Sequence, residues 1–287
     1  MDLPTAVTTW YRAHGRDLPF RQGRTSAWGV LVCEVMSQQT PVARVLPRWE
    51  EWMQRWPEPA DLAAASPAEV LRAWGSLGYP RRALRLRECA SVVVEKYDGD
   101  LPRTETELRS LPGIGQYTAA AVVAFAYRQR SAVLDTNVRR VLARLNGQAG
   151  VPAHLTRAEV ERAWEFVPVD PEAAACYNEA MMELGALVCT SRNPRCPQCP
   201  LAAACVWYER GCPPGQIRPR TQAWEGTDRQ VRGRIMAALR ANDDDVRRRD
   251  LLAAAATSPS QAERALAGLL ADGLIARTGE HYHLPLG

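Results

Sequence analysis

The chain has 287 residues, 46% apolar and 24% charged, and a net charge of +4 at neutral pH. This length can bury a substantial core in two or three domains, and the charge balance is too small to argue for nucleic acid by itself. No stretch reaches the roughly 18 uninterrupted apolar residues of a membrane span, and Met1 to Arg16 lacks the apolar centre of an export signal, so a soluble cytoplasmic protein with reduced thiols is expected.

Lys96 is the one lysine among 36 basic residues. Arginine suits phosphate recognition because its planar guanidinium donates in pairs, although base-composition bias accounts for most of this preference. An enzyme that needed a lysine amine for an imine would have a single candidate.

In chain order, apolar residues recur at helical spacing over Val30 to Val45, Asp61 to Leu77, Arg81 to Tyr97 and Thr118 to Tyr127. Glu34 is a lone carboxylate in the apolar run Val30-Leu31-Val32-Cys33-Glu34-Val35-Met36. Desolvation there would raise its pKa and fit it to deliver a proton near neutrality; read from these residues alone, a structural acid is the favoured alternative. Ser66-Pro67-Ala68-Glu69 and Thr104 with Glu107 carry helix-capping chemistry. Leu77-Gly78-Tyr79-Pro80 separates two helices.

The segment Pro112, Gly113, Ile114, Gly115, Gln116, Tyr117, Thr118 lies between a short helix from Glu105 to Ser110 and another beginning near Thr118. Two glycines free to take positive φ let the backbone turn and aim amide N–H groups outward at a helix N-terminus, which suits a phosphate and reads no base; an ordinary tight turn is the bland alternative. Further on, Asp135 stands at a helix N-cap position before Asn137-Val138-Arg139-Arg140-Val141.

Cys189, Cys196, Cys199 and Cys205 are spaced C-x6-C-x2-C-x5-C, with no histidine nearby to compete as a ligand. Structural zinc usually takes two C-x2-C pairs or a Cys/His mixture, so the spacing favours a [4Fe-4S] cluster over zinc, and either over disulfides. Cys33, Cys89, Cys176 and Cys212 read as isolated core or surface residues. Glycine and proline crowd 211–226, a linker. Beyond it, Asp228 to Ala241, Arg247 to Ala256 and Pro259 to Asp272 read as three short helices followed by two strands, a winged-helix pattern. It would either contact DNA through the third helix or only dock, since Arg264 is that helix's single basic residue.

The hairpin, the segment Leu134-Asp135-Thr136-Asn137-Val138-Arg139-Arg140-Val141 and the cysteine loop, in that order, resemble the helix-hairpin-helix DNA glycosylase superfamily over residues 1 to about 210. Glu34-Val35-Met36-Ser37-Gln38-Gln39-Thr40 and Met182-Glu183-Leu184-Gly185-Ala186-Leu187-Val188-Cys189 resemble its MutY-type branch of adenine DNA glycosylases, which remove adenine mispaired with 8-oxoguanine. The resemblance implies an all-α, two-domain core. Residues 1–22 and 129–210 would form an iron-sulfur cluster domain, 23–128 a six-helix barrel carrying the hairpin, 211–226 a linker and 227–287 a winged-helix-like domain.

The resemblance also implies roles. Glu34 would protonate the leaving adenine, and Asp135 would stabilise the oxocarbenium-like sugar or form a covalent adduct with it. Asn137 would orient the acids or the sugar. Tyr117 stands where bifunctional relatives carry a lysine, so a monofunctional enzyme is expected. Arg21 and Glu179 would contact the flipped base, and Gln39, with Gln38 and Thr40 beside it, would enter the base stack. The sequence departs from the family pattern at Phe20, Ser37 and Ala173, and residues 222–287 do not fit the Nudix-like domain with which many members read 8-oxoguanine.

The expected partner is double-stranded DNA with a mispaired adenine, bound by a nucleoid-associated monomer. A thymine-mismatch glycosylase and a non-enzymatic cluster-bearing DNA reader are the competing readings.

Overall fold

The computed structural model describes residues 2–21, 23–215 and 225–286. Several of its helices begin where a side chain can satisfy the open amides. Asp2 caps α1 (Leu3–His14), Ser66 and Glu69 form a reciprocal capping box on α5 (Pro67–Trp74), and Thr104 caps the single turn α7 (Glu105–Leu108). Two expected helices are each divided in two. The run from Val30 to Val45 becomes α2 (Ala27–Ser37) and α3 (Val42–Arg55), and the run from Asp61 to Leu77 becomes α4 (Pro59–Ala64) and α5, parted at the Ser66 cap. Helix α6 (Arg81–Tyr97) has the bounds that its periodicity predicts.

The described residues make two compact units. The first contains α1, the start of α2 as far as Leu31, α7, α8 (Gln116–Phe125), α9 (Thr136–Leu145), α10 (Arg157–Phe166), α11 (Pro171–Leu187) and the single turn α12 (Val206–Glu209). Its core is built largely on α9 and α11: Val138, Val141 and Leu142 face Ala180, Met181 and Leu184, and Cys189, Cys199 and Cys205 pack against the edge. Helix α11 is buried at ten of its 17 positions, so its polar residues Asn178, Glu179 and Glu183 lie in the interior and each needs a partner.

The second unit contains the rest of α2, α3 to α6, the hairpin residues Ser110–Gly113 and the described C-terminal segment. That segment forms α13 (Asp228–Arg240), α14 (Arg248–Ala255) and α15 (Pro259–Ala271). A small antiparallel sheet, in the order β1-β3-β2, joins Val246–Arg247, Ala276–Thr278 and His281–His283. The two-residue β1 carries no sequence signal. The C-terminal core of Ile235, Leu251, Leu266 and Tyr282 is continuous with Ala68 and Leu71 of α5. Of the linker expected at 211–226, residues 216–224 lie outside the described residues. Among the described residues, no helix is long and apolar enough to cross a membrane.

Candidate active site and cysteine loop

In the first unit Asp135 is the N-cap of α9: its Oδ1 accepts from the Val138 N–H at 2.7 Å and its Oδ2 from Asn137 Nδ2 at 2.7 Å. Burial raises the carboxyl above its ordinary pKa, against the opposing pull of these hydrogen bonds and of the Arg140 charge. Asn137 is held in turn, since Arg140 Nη2 donates to its Oδ1 at 2.7 Å and to the Gly185 carbonyl at 2.7 Å, while Arg140 Nε reaches the Cys189 carbonyl at 2.7 Å. One guanidinium therefore joins the α9 cap, α11 and the first cysteine of the loop. Helices α9 and α11 meet so closely that a Cβ on Gly185 would lie 2.6 Å from Asn137 Cβ.

Tyr117 and Thr118 lie in the first turn of α8, next to its N-cap Gly115, which offers no side-chain acceptor. Gly113 takes the left-handed turn, φ +78, but Gly115 is extended at φ −94, so only one of the two glycines needs that freedom. Ile114 and Thr118 are buried, and any anion contact from them has to come from their backbone.

Glu179 is 2% exposed and accepts from the Tyr11 hydroxyl at 3.1 Å and from Arg128 Nη1 at 3.2 Å. Burial first, then the Glu179 charge, push the Tyr11 hydroxyl up to about 12, so Tyr11 remains a donor. Arg21, also buried, donates to the Glu179 carbonyl at 3.4 Å and lies over Phe125, with its guanidinium carbon 5.5 Å from the ring centroid. A cavity of about 710 Å³ is lined by Tyr11, Arg128, Glu172, Ala173 and Glu179 among others. Arg128 adopts φ +51 and bridges Glu172 and Glu179. Neither Tyr11 nor Arg128 carries a sequence signal, because their partner lies 168 and 51 residues away.

None of the eight cysteines is joined in a disulfide. Cys196 begins one 3-10 turn, Cys199 follows it, and Cys205 closes a second. Burial pushes the Cys199 thiol up to about 11, and Cys189, Cys205 and Cys196 add to the shift, so the four are near enough to feel one another's charge. Cys212, expected to be isolated, instead lies near enough to Cys196 to help burial raise that thiol's pKa. Arg144 Nη1 donates to Cys189 Sγ at 3.3 Å and its guanidinium stacks on Trp207 at 4.2 Å. Among the described residues, no three His, Cys, Asp or Glu side chains are arranged to hold a single metal ion.

Glu34, Gln38, Gln39, Thr40, Pro112 and Gly113 belong to the second unit. Glu34 is 7% exposed, three residues from the end of α2. Gln39 is exposed in a left-handed turn, φ +56. Thr40 faces inward, its hydroxyl donating to the Leu77 carbonyl at 3.2 Å. Arg82 organises this turn, donating to the carbonyls of Val35 and Gln38, each at 2.7 Å, and lying over Trp74 at 5.1 Å. Burial lowers its pKa to about 10.

Residues 32–166 match the model of the HhH-GPD superfamily of base excision DNA repair proteins. A solved thermostable thymine-DNA glycosylase superposes with a TM-score of 0.67 at 27% identity over 72% of this chain and 95% of that one, and an endonuclease III captured in a covalent intermediate with DNA with 0.61 at 26% over 72% and 95%. The adenine DNA glycosylase of Mycolicibacterium smegmatis is 48% identical over 96% of this chain and 94% of its own, and the human one 42% identical over 71% and 39%. The chain therefore belongs to the adenine DNA glycosylase family.

Proposed function

We propose that the protein excises adenine mispaired with 8-oxoguanine or guanine in double-stranded DNA, acting as a monomer on the nucleoid in the cytoplasm. The observation that carries this reading is the Asp135 cap, a carboxylate whose two oxygens are aimed by Val138 N–H and Asn137. Glu34 delivers a proton to the departing adenine, which leaves with the electrons of the glycosidic bond. The ionised Asp135 stabilises the positive charge that develops at C1′. Water then completes the hydrolysis and restores the proton balance.

Tyr117 lines the sugar site, Gln38, Gln39 and Thr40 form the turn at the base stack, and Arg21 and Glu179 hold the flipped base. The turn opened by Pro112, which has no N–H, binds phosphate through the backbone N–H groups of Gly113, Ile114, Gly115, Gln116 and Thr118. Residues 227–287 form a winged-helix-like module. An excision assay with A, T, G or C opposite guanine and 8-oxoguanine tests the reading; adenine left in place in both pairs would reject it. The alternative, a thymine-mismatch glycosylase, draws on the thymine/uracil-DNA glycosylase of Pyrobaculum aerophilum, 35% identical over 71% of this chain and 91% of its own, and predicts thymine release in the same assay.

The protein has no lysine at the position of Tyr117. Strand cleavage should therefore be absent without alkali or heat, and a strong borohydride-trapped band would contradict hydrolysis without an imine.

Cys189, Cys196, Cys199 and Cys205 would hold a [4Fe-4S] cluster. They fit it because all four lie in one loop at C-x6-C-x2-C-x5-C spacing and Cys199 feels the charge of the other three, and such a cluster takes each thiolate on a different iron. When bound, it ties the loop together as a structural staple. Purified protein is expected to be yellow-brown with about four irons per chain, and Cys199→Ser to lose both the colour and tight DNA binding. Stoichiometric zinc without iron after anaerobic purification would overturn this assignment.

A further inference from the structure

Helix α13 delivers a guanidinium to the turn that follows α5. Arg229 Nη1 donates to the Tyr79 hydroxyl at 3.0 Å, and its guanidinium carbon lies 5.9 Å from the ring centroid. Arg82 approaches the same ring to 5.6 Å. Tyr79 is 45% exposed and sits at φ +48, a region that costs a bulky aromatic residue energy. An exposed aromatic ring flanked by guanidinium groups has the chemistry of a stacking platform for nucleic-acid bases.

The two turns are mechanically joined. Arg82 Nη1 holds the Gln38 carbonyl at 2.7 Å and its Nη2 the Gly78 carbonyl at 3.1 Å, so the left-handed residues Gln39 and Tyr79 each follow a carbonyl fixed by one guanidinium. The C-terminal helices are anchored to the same support, through the core they share with Ala68 and Leu71 and through Asp272, which accepts from both Arg81 and Arg232.

We propose that Arg229 is a specificity-positioning residue through which the C-terminal helices set the Tyr79 and Gln39 turns against the base opposite the excised adenine. The proposal rests on the reading of the chain as an adenine glycosylase whose Gln39 enters the base stack. It gives residues 227–287 a part in lesion selectivity without requiring them to touch the lesion. Arg229 is exposed, so its removal opens no core.

The test uses the full chain, because deleting the C-terminal segment would bare the apolar face of α5 and confuse selectivity with folding. Two quantities are measured for wild type, Arg229→Ala, Arg229→Lys, Tyr79→Ala and the double alanine variant: affinity for duplexes carrying a non-excisable adenine analogue opposite 8-oxoguanine or guanine, and single-turnover excision from the corresponding natural pairs. Arg229→Ala is expected to lower the 8-oxoguanine-to-guanine ratio at least threefold in both without moving the unfolding temperature. Arg229→Lys should restore part of the ratio, and the double variant should fall no lower than Tyr79→Ala. An unchanged ratio, or losses that multiply in the double variant, overturns the proposal. Wild type that excises adenine from neither pair would sink the glycosylase reading instead, and the affinity ratio would still decide the role of Arg229.

Discussion

Asp135→Asn should abolish adenine excision, by at least about 10²–10³-fold, the range lost when one group aimed at transition-state charge is removed. The substitution keeps shape and capping power, since asparagine caps a helix about as well as aspartate and can still accept from the Val138 N–H. What it loses is the negative charge, and with it the bond from Asn137 Nδ2, which would meet another amide donor if the new side chain keeps its oxygen on Val138. Folding, cluster content and DNA affinity should survive.

The same carboxyl fixes the sign of the pH dependence. In the proposed mechanism it acts ionised, and burial raises its pKa, so the acid limb of the single-turnover rate should lie above the ordinary aspartate range near 3.9. Asn137→Ala removes a bond that favours the charged form and should move that limb higher. Near wild-type excision by Asp135→Asn, or a limb that moves downward in Asn137→Ala, would reject the assignment.

The second large effect is expected from Gly185→Ala. Glycine inside a helix ordinarily costs about 0.5–1 kcal/mol relative to alanine, so at an open site the change would stabilise α11. Here the new Cβ would lie 2.6 Å from Asn137 Cβ and 2.9 Å from its backbone carbonyl carbon and oxygen. Backbone atoms do not swing aside as a long side chain can. Overpacking of this kind costs about 1–3 kcal/mol and outweighs the propensity gain. Displacing the first turn of α9 also moves Asp135 and Asn137, and misplacement by about 1 Å can cost about 10²-fold in rate. Lower unfolding temperature together with reduced excision at normal iron content is the expected result, and an alanine variant that melts higher would disprove the packing argument.

The sequence makes legible what depends on neighbours. The Asp135 cap, the Ser66 box and the Arg81–Tyr97 helix all follow from residues within a few positions of one another. The division of Val30–Val45 is legible only in Pro41, which disfavours helix at Thr40 and stands at the N-cap of α3, whereas the support of that turn by Arg82, 44 residues on from Gln38, is not legible. In the sequence that arginine is one of a pair after Pro80 and looks like a solvated surface residue. Tyr11, Arg128 and Arg16, which bind the acids buried in α11, are equally silent, since only the folded chain shows that Glu179 and Glu183 are inside. The cysteine spacing announces its loop, but not that Arg140 ties it to Asn137.

The core that α13 to α15 share with Ala68 and Leu71 bears on how such a chain can change over generations. A module on a free tether can be exchanged or discarded by moving one gene boundary. A module whose apolar residues complete the packing of α5 cannot, because a truncated descendant would expose an apolar face and a recombinant one would have to cover it. Replacement of this C-terminal segment by another type of domain thus requires matched substitutions on α5, where Ala68 and Leu71 hold the present arrangement in place.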